Sequence, residues 1–424
     1  LILFLGEPLS ISNEAVLAVV PSVGAARVAD MLYLDTKMVE GLALYARFWP
    51  GTVRCILVSV EAAMVGFGRY YSPSDLPFEI VVLESDATTA DIAAHADDAV
   101  VVVSSADRHE FLDLHERLPN AAVVPIIEYT LRTRLAIVRV GNASLLQKLK
   151  TSLWLLQTEI PRRRALRESA GFQANGVAAF KRYKKLNPHA FQYFDTRLAD
   201  RHFIGSEGIE GKVHEILAGR PLRLAFSGRL EPMKGADHLI PVLSEIHRRS
   251  SARPTLTIFG SGSLLGKMQA DVRRLGLRDY VRFGGAIDFE SKLVPYMKQS
   301  VDLFLCCHLQ GDPSCTYLET MGCGVPIIGY RNEAFDGVLQ LGECGVATPS
   351  GDTKALANAF ISLDQDRRQL GRLIRGAGQA AGERLFEATF QRRIRHLQGL
   401  ASRPRPDSRV VCLRTRDRKP EPVY

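Results

Sequence analysis

The chain has 424 residues, too many for one compact core and enough for two domains of ordinary size. At 46% hydrophobic and 24% charged it has the composition of a soluble globular protein, not of a low-complexity or fibrous one. A net charge of +8 and a pI near 9.1 suit nucleic acid, anionic lipid or phosphorylated substrates. The basic residues are scattered or fall in short clusters, such as Arg162-Arg163-Arg164 and Lys181-Arg182-Tyr183-Lys184-Lys185. A solvated helix face is the plain account of these clusters, contact with an anionic membrane surface is the other, and no nucleic-acid partner is expected.

Taken in chain order, the opening run Leu1–Gly6 is too short for a signal segment and lacks a basic leader, so it reads as a first strand. No apolar run reaches the length of a membrane span, and the window 15–34 is broken by Pro21, Arg27 and Asp30. Expected strands follow at Met31–Leu34, Cys55–Val60, Glu79–Leu83, Ala99–Ser104, Ala122–Ile126 and Leu135–Arg139. Expected helices lie at Thr36–Phe48, Thr89–Ala96, His109–Leu118 and Ala143–Thr158. This alternation predicts a mostly parallel sheet covered on both faces. Residues 162–221 read as helical and irregular, punctuated by Gly171, Gly176 and Pro188. The alternation then resumes, with strands at Leu222–Phe226, Thr255–Phe259, Tyr280–Phe283, Leu303–Cys306, Val325–Ile328 and Gly345–Ala347, and helices at Ala236–Arg249 and Gly266–Leu275. A last helical stretch spans 353–400, and the Pro- and Arg-rich residues 403–424 read as a disordered tail. The seven cysteines include no C-x-x-C pair, which argues against zinc and for a reducing cytosol, where free thiols pack as small hydrophobes.

Two segments carry the chemistry. In Ser227-Gly228-Arg229-Leu230-Glu231-Pro232-Met233-Lys234-Gly235, a strand ends in a glycine turn and places two cations where open α/β sheets bind ligands. Arg229 can fork onto phosphate oxygens, Lys234 adds a point charge, and a helix from about Gly235 would turn its N–H groups to an anion. In Gly311-Asp312-Pro313-Ser314-Cys315-Thr316-Tyr317-Leu318-Glu319, a turn leads into a helix expected to be capped by Ser314. Cys315 and Thr316 are small enough to leave its first turn approachable, and Glu319, placed more than one turn inside, could accept hydrogen bonds from a ribose diol. The competing accounts are surface cations for the first segment and an ordinary capped helix for the second. Together the two suit a nucleotide-sugar: one holds a charged leaving group and the other a hydroxylated one. The turn Gly260-Ser261-Gly262-Ser263-Leu264-Leu265-Gly266 is only a loose dinucleotide fingerprint, because the next strand, Tyr280–Ala286, ends without an acid. No G-x-S-x-G, H-E-x-x-H or Walker A pattern occurs, and His308 reads as a structural histidine near the Gly311 loop.

At these residues the chain resembles the family-4 (group 1) retaining glycosyltransferases of GT-B fold. Five segments carry the likeness in order: SGRLEPMKGADHLI, LTIFGSGSL, YVRFGGAI, PSCTYLETMGCGVPIIGYRNEA and GVATPSGDTKALANAF. The resemblance covers about residues 220–395. It implies an α/β protein of two Rossmann-like α/β/α domains facing across a cleft, with a C-terminal helix crossing back. The expected division is 1–210 for the acceptor domain, 211–380 for the nucleotide-sugar domain, 381–402 for the crossing helix and 403–424 for the tail.

The resemblance implies that Arg229 and Lys234 hold the diphosphate and act catalytically, and that Glu319 binds the ribose hydroxyls as the second Glu of a Glu-x7-Glu pair. Gly228, Gly260, Ile287, Ser314, Cys315 and Thr316 would border the donor. The first Glu of the pair would fall at Gly311, and Asp312, one residue later, is the candidate substitute. Acceptor-side candidates are Lys37, Glu40, Glu128, Gln173 and Asn175, the last two in the stretch 171–176, which reads as a polar loop. The expectation is transfer of a sugar from a nucleoside-diphosphate donor to a hydroxyl on a glycan or lipid-linked acceptor, with no cofactor and no metal, in the cytoplasm or at the inner membrane face. The rival readings are a sugar-nucleotide epimerase of the same fold, and a degenerate nucleotide-binding protein that Gly311 keeps in view.

Overall fold

The computed structural model describes residues 11–403 apart from Phe67 and Asn142. The expected strand at Leu1–Gly6 and the tail beyond Arg403 lie outside the described residues. Two compact units emerge. One holds the described residues up to Ser104, with Asp113–Val124 and the chain from Ile394; the other holds Ser105–Leu112 and Pro125–Arg393.

In the first unit, strands β1 (Val16–Val20), β4 (Val53–Val58), β6 (Glu79–Leu83) and β7 (Ala99–Ser105) run parallel in the order β7-β1-β4-β6. The apolar runs of β1, β4 and β7 are largely buried, with Leu17, Ile56 and Val101–Val103 almost wholly shielded from solvent, while β6 at the edge is only half-buried. The short strands β2 (Ala26–Val28), β3 (Met31–Asp35) and β5 (Gly68–Tyr71) form a separate antiparallel sheet. The expected strand at Met31–Leu34 is therefore real but belongs to this small sheet, and β1, which pairs on both sides, was not anticipated. Helix α1 (Thr36–Phe48) starts where expected because the Asp35 carboxylate accepts from the Met38 N–H at 2.8 Å. Helices α2 (Thr89–Ala94) and α3 (Leu114–Arg117) complete this part.

In the second unit, β8 (Ala122–Ile127), which begins in the first, pairs with β9 (Phe172–Asn175), and β9 pairs with β10 (Ala190–Tyr193), all parallel. Two expectations fail here. Residues 171–176 are not a loop, since most of them form β9. Leu135–Arg139 is not a strand but lies within helix α4 (Leu131–Val140), whose cap is Thr130. A short apolar run does not reveal its own period, and only the cap decides. Helix α5 (Leu145–Glu168) follows, opened by a capping box between Ser144 and Gln147. Helices α6 (Gly176–Tyr183) and α7 (Gly205–Leu217) lead to the six-stranded sheet.

That sheet contains β11 (Arg223–Ser227), β12 (Thr255–Phe259), β13 (Val281–Gly285), β14 (Leu303–Cys306), β15 (Ile327–Tyr330) and β16 (Gly345–Thr348), all parallel in the order β13-β12-β11-β14-β15-β16. Chain order thus reverses between β11 and β14, and in such sheets the crevice at the strands' C-terminal ends receives ligands. At the opposite end of the same pair, Arg220 and Arg223 clamp the buried Asp302 at 2.7 and 3.1 Å. Burial works against that carboxylate's charge, yet the two arginines hold it down to about 2. Helices α8 (Leu239–Arg249), α9 (Leu265–Arg274), α10 (Val294–Ser300), α11 (Thr316–Gly322), α12 (Glu333–Val338), α13 (Thr353–Gln365) and α14 (Arg367–Gly382) accompany the sheet. One apolar core, from Leu198 to Ala381, fills it. Helix α15 (Phe386–Ala401) is shared between the two units.

In this grouping the residues from Pro125 onward fall with the six-stranded sheet. Segments preceding β11 join the second unit through specific contacts. The Thr133 hydroxyl donates to Glu333 Oε2 at 3.0 Å, Arg197 Nε to Glu319 Oε1 at 3.1 Å, and Gly337 lies so close to Val177 that an added Cβ would meet it at 2.8 Å.

Candidate functional site

Three loops meet where β11, β12 and β13 end. Gly228 N–H donates to the Phe259 carbonyl at 3.1 Å, and Gly260 N–H to the Gly285 carbonyl at 2.8 Å. Backbone lies directly on backbone, for a Cβ on Gly260 would sit 1.9 Å from the Gly228 carbonyl oxygen. Ile287, half-buried beyond β13, follows this seam. Glu231 braces it by accepting from the Ser263 N–H at 2.8 Å and hydroxyl at 2.6 Å, bonds that lower its pKa.

The two expected cations take different places. Arg229 is exposed at the end of β11, whereas Lys234 is buried, only 6% exposed. Lys234 ends a short 3-10 turn, Pro232–Lys234, and the next residue, Gly235, has φ 58°. A side chain at Gly235 would meet the Cys307 carbonyl at 2.0 Å, so the β11 loop presses against the end of β14. The expected helix from Gly235 is instead a second 3-10 turn, and α8 starts only at Leu239.

Lys234 Nζ lies 2.7 Å from Asp312 Oδ2. Asp312 Oδ1 is also buried and has no hydrogen-bond partner. Burial alone would raise the Asp312 pKa, but Lys234 beside it holds the carboxyl below its usual range. His308, wholly buried at the end of β14, is pushed down to about 3, by burial first and the Lys234 charge second, so it is neutral near pH 7. Arg229 acts electrostatically on both Asp312 and His308. The crossover point thus gathers a buried cation, an exposed cation, a carboxylate with a spare oxygen and a neutral imidazole.

The segment after Asp312 departs from expectation in two details. Helix α11 is preceded by Cys315 in the cap position with no side-chain cap bond, so Ser314 is not the cap. Glu319 lies in the first turn, not beyond it, nearly buried at 8% exposure. Its partner Arg197 also stacks on the Phe289 ring at 4.2 Å. Cys315 Sγ is 3.7 Å from Asp195 Oδ2, and Thr316 is half-buried as the helix begins.

Gly311 is buried and enclosed. A Cβ there would meet Glu333 Cβ and N at 3.1 Å and Thr133 Oγ1 at 3.3 Å. A side chain at this position would press on Glu333, which must give by a few tenths of an ångström while its carboxylate takes the hydroxyls of Thr130 and Thr133 at 2.5 and 3.0 Å. A small pocket beside the loop is lined by Glu128, Asn175, Asp195, Pro313, Ser314 and Tyr317. Sequence reasoning missed Asp195, Arg197, Glu333 and both threonines. Only the Asn332-Glu333 cap at the start of α12 offered a signal.

Of the acceptor-side candidates, Glu128 and Asn175 come together, Asn175 Nδ2 donating to Glu128 Oε1 at 3.1 Å. Gln173 does not join them. It is fully buried and exchanges hydrogen bonds with Arg393, at 2.8 and 3.1 Å, which makes it a packing residue. Lys37 sits in the first turn of α1 and Glu40 just beyond it, in the other unit.

Residues 212–379 match the family model "Glycosyl transferases group 1". The chain is 31% identical over 160 residues to a GDP-mannose-dependent alpha-(1-6)-phosphatidylinositol monomannoside mannosyltransferase of Mycolicibacterium smegmatis, covering 36% of this chain and 41% of that one. It is 31% identical over 132 residues to N-acetyl-alpha-D-glucosaminyl L-malate synthase of Bacillus anthracis, covering 31% and 32%. The chain therefore spans well under half the length of these curated relatives. Among solved structures, Anabaena HepE in complex with UDP superposes with a TM-score of 0.62 at 14% identity, over 90% of this chain and 98% of that one, a likeness of fold. With the parallel sheets described above, these findings give the chain the GT-B fold, and its residues 212–379 are similar to the group 1 glycosyl transferases.

Proposed function

We propose that the protein is a glycosyltransferase that moves a sugar from a nucleoside-diphosphate donor to a hydroxyl acceptor, with retention at the anomeric carbon. The observation that carries this is the convergence of Arg229, Lys234 and Asp312 at the β11/β14 crossover, with Glu319 one short helix away. In this reading the departing diphosphate takes over Lys234 and is met by Arg229. Charge develops on that phosphate as the glycosidic bond breaks, and prepositioned cations stabilise it. Glu319 accepts from the ribose hydroxyls while sharing Arg197. Asp312, released from Lys234, accepts from a hydroxyl of the donor sugar. Two cations already face the diphosphate, so no divalent metal or cofactor is required. The names of the mannosyltransferase and malate-synthase relatives support a hexose-type donor and a small or lipid-linked hydroxyl acceptor. A place in surface polysaccharide or glycoconjugate synthesis, on the cytoplasmic side and in peripheral contact with an anionic membrane, suits those names and the basic charge. Among the described residues no helix is long and apolar enough to cross a membrane.

A second reading, a nucleotide-binding protein without transfer, is favoured by one observation: the Asp312 carboxylate already occupies Lys234, the cation expected to hold the diphosphate. Calorimetric titration with UDP, GDP, ADP and dTDP, with and without EDTA, followed by donor turnover, separates the readings. Binding that survives EDTA together with turnover of the matching sugar-nucleotide is the expected result. Binding without turnover gives the second reading, and no binding of any of the four overturns both.

A further inference from the structure

Among the described residues, seven of the thirteen exposed large apolar side chains belong to the single helix α5. Six of them, Leu145, Leu146, Leu149, Leu153, Leu156 and Ile160, form one stripe: at about 100° per residue they fall within roughly 100° of one another. Leu145 is 86% and Ile160 74% exposed. The helix is anchored by a different face, with its buried residues all from Leu155 on. Leu155, Glu159, Arg162, Ala165 and Leu166 are its buried residues, with Arg162 Nε donating to the Ala106 carbonyl at 2.8 Å and the Tyr183 hydroxyl to Glu159 at 3.0 Å. Residues 145–154 contribute no fully buried side chain. A stripe of leucines held in water by this half of the helix is unfavourable unless something covers it.

The charge around the stripe selects the cover. From Tyr129 to Thr158 the sequence contains no Asp or Glu, while Arg132, Arg134, Arg139, Lys148 and Lys150 lie within it. Arg132, Arg139 and Lys150 are exposed, and Lys148 Nζ donates to the Arg139 carbonyl at 2.9 Å, which brings the cations at the end of α4 and the start of α5 together. A second copy of the chain on this face would set like charges against each other. Residues 404–424 are themselves richer in Arg and Lys than in Asp and Glu, and so match no better. We infer that α5 lies flat on an anionic bilayer, its leucine stripe entering the acyl boundary and its flanking cations meeting lipid headgroup phosphates. This deepens the membrane contact of the proposed function by naming the surface, and it is independent of the donor chemistry.

The test is co-sedimentation of the full chain, without nucleotide, with vesicles of phosphatidylcholine plus phosphatidylglycerol and with phosphatidylcholine alone. Binding to the anionic vesicles is expected, falling with added salt. Leu146→Ser/Leu149→Ser/Leu153→Ser should lower the partition coefficient by roughly a hundredfold or more, and Lys148→Glu/Lys150→Glu by at least about tenfold. In a Trp154→Phe background, Leu149→Trp should give a blue-shifted emission only with anionic vesicles. All these variants alter side chains outside the core, and unchanged thermal unfolding checks that they fold. No vesicle binding, or equal binding to neutral vesicles, overturns the inference. So does self-association that the triple-serine variant abolishes, since the face would then belong to a second copy. Because no nucleotide is present, failure here leaves the donor-site reading intact, and failure of nucleotide binding leaves this one intact.

Discussion

Lys234 and Asp312 form a buried ion pair, Nζ to Oδ2 at 2.7 Å, at the point where strand order reverses. The pair joins the two segments that the sequence marks as chemical, yet it joins them to each other. A diphosphate arriving at Lys234 must compete with a carboxylate already there. Asp312 is thus both the counter-ion that lets a lysine be buried and a negative charge set against the proposed ligand.

Lys234→Ala should remove nucleotide affinity and stability together. Losing one partner of a buried pair costs about 3–5 kcal/mol. In Lys234→Ala/Asp312→Ala most of that stability should return, but not the affinity. Nucleoside-diphosphate binding should fall about ten- to a hundredfold in either variant, as it should in Arg229→Ala, which leaves stability unchanged because Arg229 is exposed. Calorimetry for binding and denaturant titration for stability read the two effects apart. Unaltered binding in both Lys234→Ala and Arg229→Ala would dispose of the diphosphate assignment.

Asp312→Asn should strengthen nucleoside-diphosphate binding, by roughly three- to tenfold, since a negative charge near the diphosphate is removed. Turnover of the sugar-nucleotide should nevertheless fall, because the carboxylate released from Lys234 is the proposed acceptor for a sugar hydroxyl. Affinity and kcat moving in opposite directions is the signature. A variant with unchanged kcat would show that Asp312 serves only to neutralise Lys234.

Glu319→Ala should erase the preference for a ribonucleotide over its deoxy analogues. In the native chain each lost hydroxyl contact to the carboxylate should cost about 1.5–3 kcal/mol, hence roughly ten- to a hundredfold in Kd. Arg197→Ala should reduce that preference only in part, since it loosens the Glu319 carboxylate at 3.1 Å without removing it. Discrimination that persists in Glu319→Ala would place the ribose elsewhere.

His308 predicts an acid-sensitive fold. Its pKa is about 3 in the folded protein, below the ordinary value of 6.5, so between these limits the unfolded chain binds the extra proton. Stability from this site is therefore full above about pH 6.5 and falls on acidification by up to about 1.4 kcal/mol per pH unit. The Asp312 carboxyl, also shifted down, adds a loss of the same sign below its ordinary value of 3.8. His308→Gln should flatten the slope of unfolding free energy between pH 6 and 4.5. An equal slope in wild type and variant would mean that His308 is not held neutral.

Much of this protein was legible in one dimension. Long apolar runs such as Ala99–Ser105 and Leu303–Cys306, each followed by a turn and an amphipathic stretch, are enough to predict parallel α/β units, because a strand buried on both faces has few other sequences open to it. The Gly-Arg turn after β11 and the Lys-Gly pair, with Gly235 at φ 58°, are local demands of the backbone and carry their own signal. Where a segment's state rests on its partners, the sequence is silent. Leu135–Arg139 is helical because Thr130 caps it, residues 172–175 form a strand because β8 and β10 flank them, and Gln173 is claimed by Arg393 from 220 positions away. Above all, whether Lys234 faces solvent, a phosphate or Asp312 depends on how closely the loops of β11 and β14 approach. That distance is set by the shared sheet, by the glycine contact at Cys307 and by the order in which six strands are laid side by side. No run of residues encodes such a long-range approach. It exists only once the core between the strands has packed.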